Sequence, residues 1–353
     1  MKILITGGAG FVGSNLGVLF KERGNADVVA LDNLKRRGSE LAITRLAGAG
    51  VTFHHGDIRS RSDLDAVGKF DLLIECSAEP SVHAGYGSSP DYLIDTNLLG
   101  TINCLELARK HEAAVVFLST SRVYPIAALR ALPLVETGTR LDLPADARGI
   151  GYSHAGIRTD FPLAGARSLY GATKLASELI MEEYIAMYGL RAVINRCGVI
   201  AGAWQMGKVD QGFVVLWAAR HLYGGKLSYS GFGGRGMQVR DILHVHDLFD
   251  LICKQIADWP KHSGRIHNAG GGHANSVSLR ELTEMCKERC GHDIPIGSDP
   301  QTRAADIPYY ITDNAEITAS TGWLPRRSVN DILDEVFQWL AEHREQLEPI
   351  LNS

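Results

Sequence analysis

The sequence predicts an α/β protein, a doubly wound parallel Rossmann-type sheet followed by a smaller C-terminal lobe. Three observations predict it. The chain opens on an apolar run that breaks into glycines and then into a helical pattern. Strand-like and helix-like stretches alternate from there to about residue 200, and repeated β–α alternation favours right-handed crossovers in one sheet. After Gly202 the alternation gives way to turn-rich connections between isolated helices. The expected division is a first unit over residues 1–200 and a mainly ligand-facing lobe over 201–353, with strand or helix returns to the first unit.

Met1 to Thr6 is short, apolar and rich in β-branched residues, as a buried strand should be. Gly7-Gly8-Ala9-Gly10-Phe11-Val12-Gly13-Ser14 follows at once, and Phe11, Val12, Leu16, Leu19 and Phe20 then recur at helical spacing. Gly8, Gly10 and Gly13 meet the spacing G-x-G-x-x-G, while Gly7, Gly10 and Gly13 meet the wider G-x-x-G-x-x-G. Glycines there can turn the chain tightly, admit a pyrophosphate to the backbone and let helix pack on strand. The phosphates then meet unpaired N–H groups at a helix N-terminus. With 38 glycines in the chain, either spacing could arise by chance, so the context decides. Asp27 to Leu31 is a second strand, and it ends in Asp32. A carboxylate at that place accepts both hydroxyl protons of an adenosine ribose and repels a 2′-phosphate. NAD is therefore expected rather than NADP, with Lys35-Arg36-Arg37 a basic turn just beyond that could still touch the ribose.

Val51 to His55 reads as the third strand, closed by Gly56-Asp57-Ile58, and Asp71 to Cys76 as the fourth, followed by the loop Ser77 to Val82. A helix is predicted from about Asp91 to Lys110, and Ala114 to Leu118 is a continuous apolar strand, as in a sheet covered on both faces. From Pro125 to Pro162 the periodicity dissolves. Long loops inside compact domains are usually functional, so 125–162 is expected to be a substrate loop. A helix over 168–188 and a sixth strand, Arg191 to Asn195, complete the first unit. Beyond it come a polar loop (Trp204 to Gly212) leading into a short helix, a glycine cluster at 231–236, and helices over 278–290 and 328–345.

The 353 residues carry a net charge of −4, which gives no electrostatic case for nucleic acid or an anionic membrane. No apolar run approaches the roughly eighteen residues of a membrane span. The first strand begins at residue 2, leaving no room for a targeting peptide, so the cytosol is the expected compartment. Six cysteines stand at no framework spacing. Cys286 and Cys290 share a helical face with His292 beyond, but a zinc site needs a fourth ligand at matching spacing, and no metal is expected.

The chemistry gathers at two further stretches. Ser119-Thr120-Ser121 ends the fifth strand, and Tyr170-Gly171-Ala172-Thr173-Lys174 puts a phenol and an ammonium on one helical face. A free phenol, ionising near pH 10, is a poor base at neutrality. A nearby ammonium favours the phenolate, as does an oxidised nicotinamide. Thr120 would share a hydrogen bond with the same substrate hydroxyl and align it for oxidation.

With these motifs the chain resembles the extended short-chain dehydrogenases/reductases, specifically the NAD-dependent nucleotide-sugar epimerases and dehydratases. The resemblance covers nearly the whole chain. The glycine run, Asp57-Ile58, Asn97-Leu98-Leu99-Gly100-Thr101, Ser119 to Tyr124, Tyr170 to Lys174 and Val239 to Asp247 fall in that family's order. It implies Thr120, Tyr170 and Lys174 as catalytic residues, with Lys174 also holding the nicotinamide ribose. It implies cofactor contacts from Gly7, Gly10, Phe11, Val12, Gly13, Asp32, Asn33, Lys35, Asp57, Ile58, Ser77, Ala78 and Asn97, besides Tyr170 and Lys174. Asp57 and Ile58 would flank the adenine. Substrate contacts are expected from Arg122, Gln205, Gln211, Arg240 and Arg303, where Arg240 and Arg303 suit a diphosphate by their fixed fork of donors.

Departures from the family pattern refine the reaction. The 4,6-dehydratases carry an Asp-Glu pair directly after the catalytic threonine, and here those positions are Ser121 and Arg122, so elimination lacks its carboxylates. The segment Asp210-Gln211-Gly212 and the stretch from Lys226 to Val245 look most like the CDP-paratose 2-epimerases (tyvelose epimerases). The resemblance thus implies epimerisation of a nucleotide sugar by transient oxidation and re-reduction from the opposite face, with NAD retained. A UDP-hexose 4-epimerase, or another nucleotide-sugar oxidoreductase, is the rival within the class. A non-catalytic NAD sensor on the same fold would characteristically lack the Tyr170 and Lys174 pair, which is present. Relatives form dimers through helices equivalent to 91–110 and 168–188, so a homodimer is expected.

Overall fold

The computed structural model describes residues 1–209 and 211–352. Asp210, part of the predicted polar loop, lies outside the described residues. Seven parallel strands form the central sheet: β1 (Lys2–Thr6), β2 (Asp27–Asp32), β3 (Thr52–His55), β4 (Leu72–Glu75), β5 (Ala114–Thr120), β6 (Ala192–Cys197) and β7 (Ile266–Ala269). Their order is β7-β6-β5-β4-β1-β2-β3, so the winding order of these parallel strands reverses between β1 and β4. Ligands in such sheets bind outside the carboxyl ends of the strands at that switch point.

The strands are apolar because both faces are covered. Ile3, Ile5, Val28, Ala30, Leu72, Ile74 and Val116 pack toward helix α1 (Phe11–Glu22), joining Leu16, Leu19 and Phe20 in one core. Leu4, Leu73, Val115, Phe117 and Ile194 point the other way, toward Leu105, Ala108 and Met181. Alternate residues of each strand thus serve opposite layers.

The predicted helix from Asp91 to Lys110 is not regular. It starts as Asp91–Ile94, widens into a π-helical turn over Asp95–Gly100 and becomes helix α2 (Thr101–His111). The turn lets the Asn97 carbonyl accept from both Thr101 Oγ1 and Ser177 Oγ. Helix α3 spans Ser168–Tyr188, as expected.

The 125–162 stretch corrects a prediction, since it does not border the central cavity. It folds into a short helix (Ile126–Arg130) and pairs of small strands, and its Leu143, Ile157 and Phe161 join a core with Tyr309, Tyr310 and Ile311. Apolar side chains hidden from its irregular pattern make it a buttress rather than a substrate loop. Arg130 ties it to the carbonyls of Arg303, Ala304 and Asp306.

The C-terminal lobe packs helices α4 (Phe213–Tyr223), α5 (Leu279–Cys290) and α6 (Val329–Glu342) around a separate core that includes Val215, Ala218, Leu282, Ile332 and Val336. Its small sheet runs through Val199–Ala201, Val239–His244 and Ser276–Ser278. The chain returns to the first unit through β7. Among the described residues no helix is long and apolar enough to cross a membrane.

Candidate active site

A cavity of about 900 Å³ opens at the carboxyl ends of β1, β2, β4, β5 and β6 and continues under the C-terminal lobe. At one end lies the glycine turn. Gly7 has φ +64°, and a Cβ on Gly13 would stand 2.2 Å from the Gly7 carbonyl oxygen. A Cβ on Gly8 would meet that of Ala30 at 2.6 Å, so the glycines allow both the turn and the close helix–strand contact. Helix α1 then starts at Gly10 with no side-chain cap and no acidic residue in its first turn. Its first N–H groups have no helical acceptor and are left for an anion. That is the cradle a dinucleotide pyrophosphate requires.

Asp32 ends β2 beside this turn. Its Oδ2 accepts from the Ala9 N–H (3.1 Å) and its Oδ1 from the Leu34 N–H (2.8 Å). Burial raises the carboxyl above its ordinary value, and those N–H groups offset only part of the rise. Asn33 donates to Asp57 (2.8 Å), and the Lys35 and Arg59 cations lie 4.0 and 4.8 Å from the centroid of the Tyr92 ring. Although burial opposes it, the Arg59 fork with the Asn33 amide holds the Asp57 carboxyl down to about 2. Ile58 is buried beside them.

Gly7, Gly10, Phe11, Val12, Gly13, Asp32, Asn33, Lys35, Asp57, Ile58, Ser77 and Ala78, the expected cofactor contacts, all border this cavity. Asn97 does not. It is fully buried, its Oδ1 accepts from the Glu79 N–H (2.7 Å) and its Nδ2 donates to the Glu79 carbonyl (3.1 Å). Its place is behind the loop, bracing the segment that carries Ser77 and Ala78 to the cavity.

The catalytic candidates Thr120, Tyr170 and Lys174 border the same cavity. Thr120 ends β5, and Oγ1 accepts from the Arg122 N–H (3.1 Å), which starts the turn Ser121–Val123. Helix α3 docks on that turn so closely that a Cβ on Gly171 would sit 2.1 Å from the Arg122 carbonyl oxygen. The glycine between Tyr170 and the rest of its motif is therefore what lets the helix bring Tyr170 and Lys174 to the end of β5. Beneath them, Glu178 accepts from Arg196 (2.7 Å) and from Ser119, locking α3 to β5 and β6.

Beyond Tyr170 the cavity becomes cationic. Arg122 donates to the Ala305 carbonyl (3.1 Å), and Arg240 to those of Val239 (2.7 Å) and Ile307 (2.6 Å). Neither has a carboxylate in ion-pair contact among the described residues. Burial pulls the Arg240 guanidinium down to about 9, with the Arg122 charge adding to it. Two half-buried like charges border one space, offset in part by Asp306, and a polyanion would relieve them further. Arg303 stands exposed at the rim. Gln205 and Gln211 also border the cavity, each with a buried side-chain oxygen that has no partner among the described residues.

Sequence reasoning missed several cavity residues, among them Glu75's neighbour Cys76, Glu79, His83 and Gln238. Glu79 and His83 follow Ala78 in the same loop, and nothing but that proximity marks them. It also missed a cluster of His244, His246 and Glu335. There His244 Nδ1 accepts from the His246 N–H (3.0 Å), which leaves the ring proton on Nε2, facing Glu335 at 2.7 Å. That tautomer offers no ring lone pair to a cation, so the cluster is a hydrogen-bond chain holding α6 to the strand end.

Fold and site together define an NAD-binding enzyme of the short-chain dehydrogenase type. Residues 3–270 match the NAD dependent epimerase/dehydratase family, and the chain belongs to that family. It is 30% identical to a CDP-paratose 2-epimerase of Salmonella typhi, over 97% of this chain and 99% of that one. It is 28% identical to a UDP-glucose 4-epimerase of Halalkalibacterium halodurans, over 97% and 96% of the two chains. Among solved structures it resembles a Thermus thermophilus UDP-glucose 4-epimerase in complex with NAD, with TM-score 0.76, 25% identity, and 97% and 99% of the chains covered. The cofactor is NAD.

Proposed function

We propose that this chain epimerises a nucleotide-activated sugar, with Thr120, Tyr170 and Lys174 at the reacting carbon and the arginines on the diphosphate. The observation that carries the reading is the joining of two sites in one cavity: a dinucleotide cradle, and a pair of half-buried arginines that, among the described residues, have no carboxylate in ion-pair contact. NAD, when bound in the cradle, supplies a reversible two-electron acceptor for a sugar carbinol, making a ketone that can be reduced again on its other face. Tyr170 takes the proton of the reacting hydroxyl and returns it, so the protein ends as it began. Thr120 holds the oxygen in line, and Lys174 supports the phenolate. Arg122, Arg240 and Arg303 keep the diphosphate while the sugar turns over, which calls for strong grip at one end and loose contact at the other.

Similarity over the full length favours the CDP-paratose 2-epimerase type, and a UDP-hexose 4-epimerase is the second reading. Ser121 and Arg122 in place of an acid pair argue against elimination. The reading includes an NAD-binding unit over 1–200, a substrate lobe over 201–353, a cytosolic site of action and a homodimer. The test is product analysis by NMR with CDP-paratose and UDP-glucose, on wild type and Tyr170→Phe. Inversion at one carbon without net NADH is expected, and the variant should lose nearly all of it while keeping NAD and its fold. Full activity in the variant would remove Tyr170 from the mechanism.

A further inference from the structure

The fourth strand ends in a carboxylate that the mechanism above leaves idle. Glu75 is the last residue of β4, in register with Thr6 of β1 on one side and Phe117 of β5 on the other. It stands between the strand that feeds the glycine turn and the strand that carries Thr120. Its side chain is 1% exposed, and the Lys174 Nζ lies 3.6 Å from its Oε2. Neither carboxylate oxygen has a well-formed hydrogen bond among the described residues, and the groups that favour its charge are the Lys174 ammonium and, more weakly, the Ser77 N–H. Burial pushes the carboxyl up, and the Lys174 charge is the main influence pulling it down. Lys174 is itself buried, with its ammonium 4.3 Å from the centroid of the Phe117 ring.

The other titratable groups around this pair do not replace Glu75. Cys76 adjoins it, Cys104 faces it from α2 and Cys197 ends β6, and burial pushes all three thiols up, so they stay neutral. Asp241, from the C-terminal lobe, is occupied by the N–H groups of Gly272 and Thr312 at 3.1 Å each. Arg122 faces Tyr170 as a further cation. An ammonium shut away from water keeps its proton only when its charge is matched. An oxidised nicotinamide would add another positive charge to the same enclosure.

We propose that Glu75 is a positioning residue whose carboxylate keeps the Lys174 ammonium charged beneath the bound cofactor, and so keeps Tyr170 supplied with the cation it needs to act as a base. This rests on the reading of Tyr170 as that base. Glu75→Gln removes the charge with little change of shape. Two measurements on the NAD-loaded protein read the effect: the pH profile of kcat/KM, and the phenolate absorbance that disappears when Tyr170→Phe is added. Both are expected to move to higher pH by about one unit, with the rate recovering in alkali. Glu75→Asp should restore most of the original profile. A lowered rate with an unmoved profile would mean a purely structural role and overturn the proposal, as would a downward move, in which the carboxylate merely opposes Lys174. If the Gln variant does not fold, the same two profiles are read in Glu75→Ala, which also removes the charge; an upward move there supports the proposal and an unmoved profile overturns it. Failure of the underlying reading shows separately, as activity in Tyr170→Phe of the otherwise unchanged protein, and it would take this proposal with it.

Discussion

Asp32 receives hydrogen bonds from Ala9 and Leu34, so its carboxylate is oriented before any ligand arrives. Binding then costs little reorganisation. Replacing it by Asn keeps the shape and removes the charge. Hydrogen bonds to a charged group contribute about 1.5–3 kcal/mol, so Asp32→Asn should bind NAD roughly ten- to a hundredfold more weakly. It should also lose discrimination against NADP, and calorimetric titration with both cofactors reads each effect. Residues such as Asp32 were legible in the sequence because strand, glycine turn and carboxylate are neighbours along the chain. Glu75 was not. It closes an apolar strand, which is a visible oddity, but its meaning depends on Lys174, and only the packing of α3 against the sheet brings the two together.

At the level of elements, the start of α5 shows a local signal serving a distant contact. Ser278 and Glu281 form a reciprocal capping box, readable as S-x-x-E. The same carboxylate accepts from Arg140 Nη2 (2.6 Å) and Thr139 Oγ1 (2.6 Å), which belong to the 125–162 insertion. Burial pushes the Glu281 carboxyl up, but Arg140, the Ser278 N–H and Thr139 together hold it down to about 2. A carboxyl depressed in the folded state stabilises above its unfolded value and loses that contribution as pH falls through the folded one. Glu281→Gln should therefore cost about 2 kcal/mol near neutrality, by urea unfolding. The difference from wild type should shrink between pH 4.5 and pH 2. The cap could be read from four consecutive residues, whereas the insertion's role as a buttress could not, because its apolar side chains follow neither helical nor strand spacing.

For the whole molecule, the surface of α3 and the turn before α2 is the informative feature. Leu99, Leu179 and Met187 are 49%, 56% and 67% exposed, an apolar set on adjacent helical segments that water would not favour. If this face joins two copies, a charge at its centre should separate them. Leu179→Glu is expected to convert a dimer to a monomer in sedimentation equilibrium while leaving NAD bound. A monomeric wild type at micromolar concentration would end the dimer reading. The lobes also meet over the cofactor cradle, where Arg36 donates to the Met206 carbonyl and Gly38 lies against the Met206 side chain.

By itself the sequence determined the strands of the sheet, the glycine turn, Asp32 at the end of its strand, and Tyr170 and Lys174 four apart on one helix. Each rests on a period or a spacing within one element or one turn, and backbone geometry turns such spacings directly into neighbours. Tertiary structure alone decided that the 125–162 stretch supports the wall instead of lining it, that Asn97 braces a loop, and that Glu75 meets Lys174. Those outcomes are contacts between distant segments, selected by which apolar faces find burial together, and no local pattern encodes the partner.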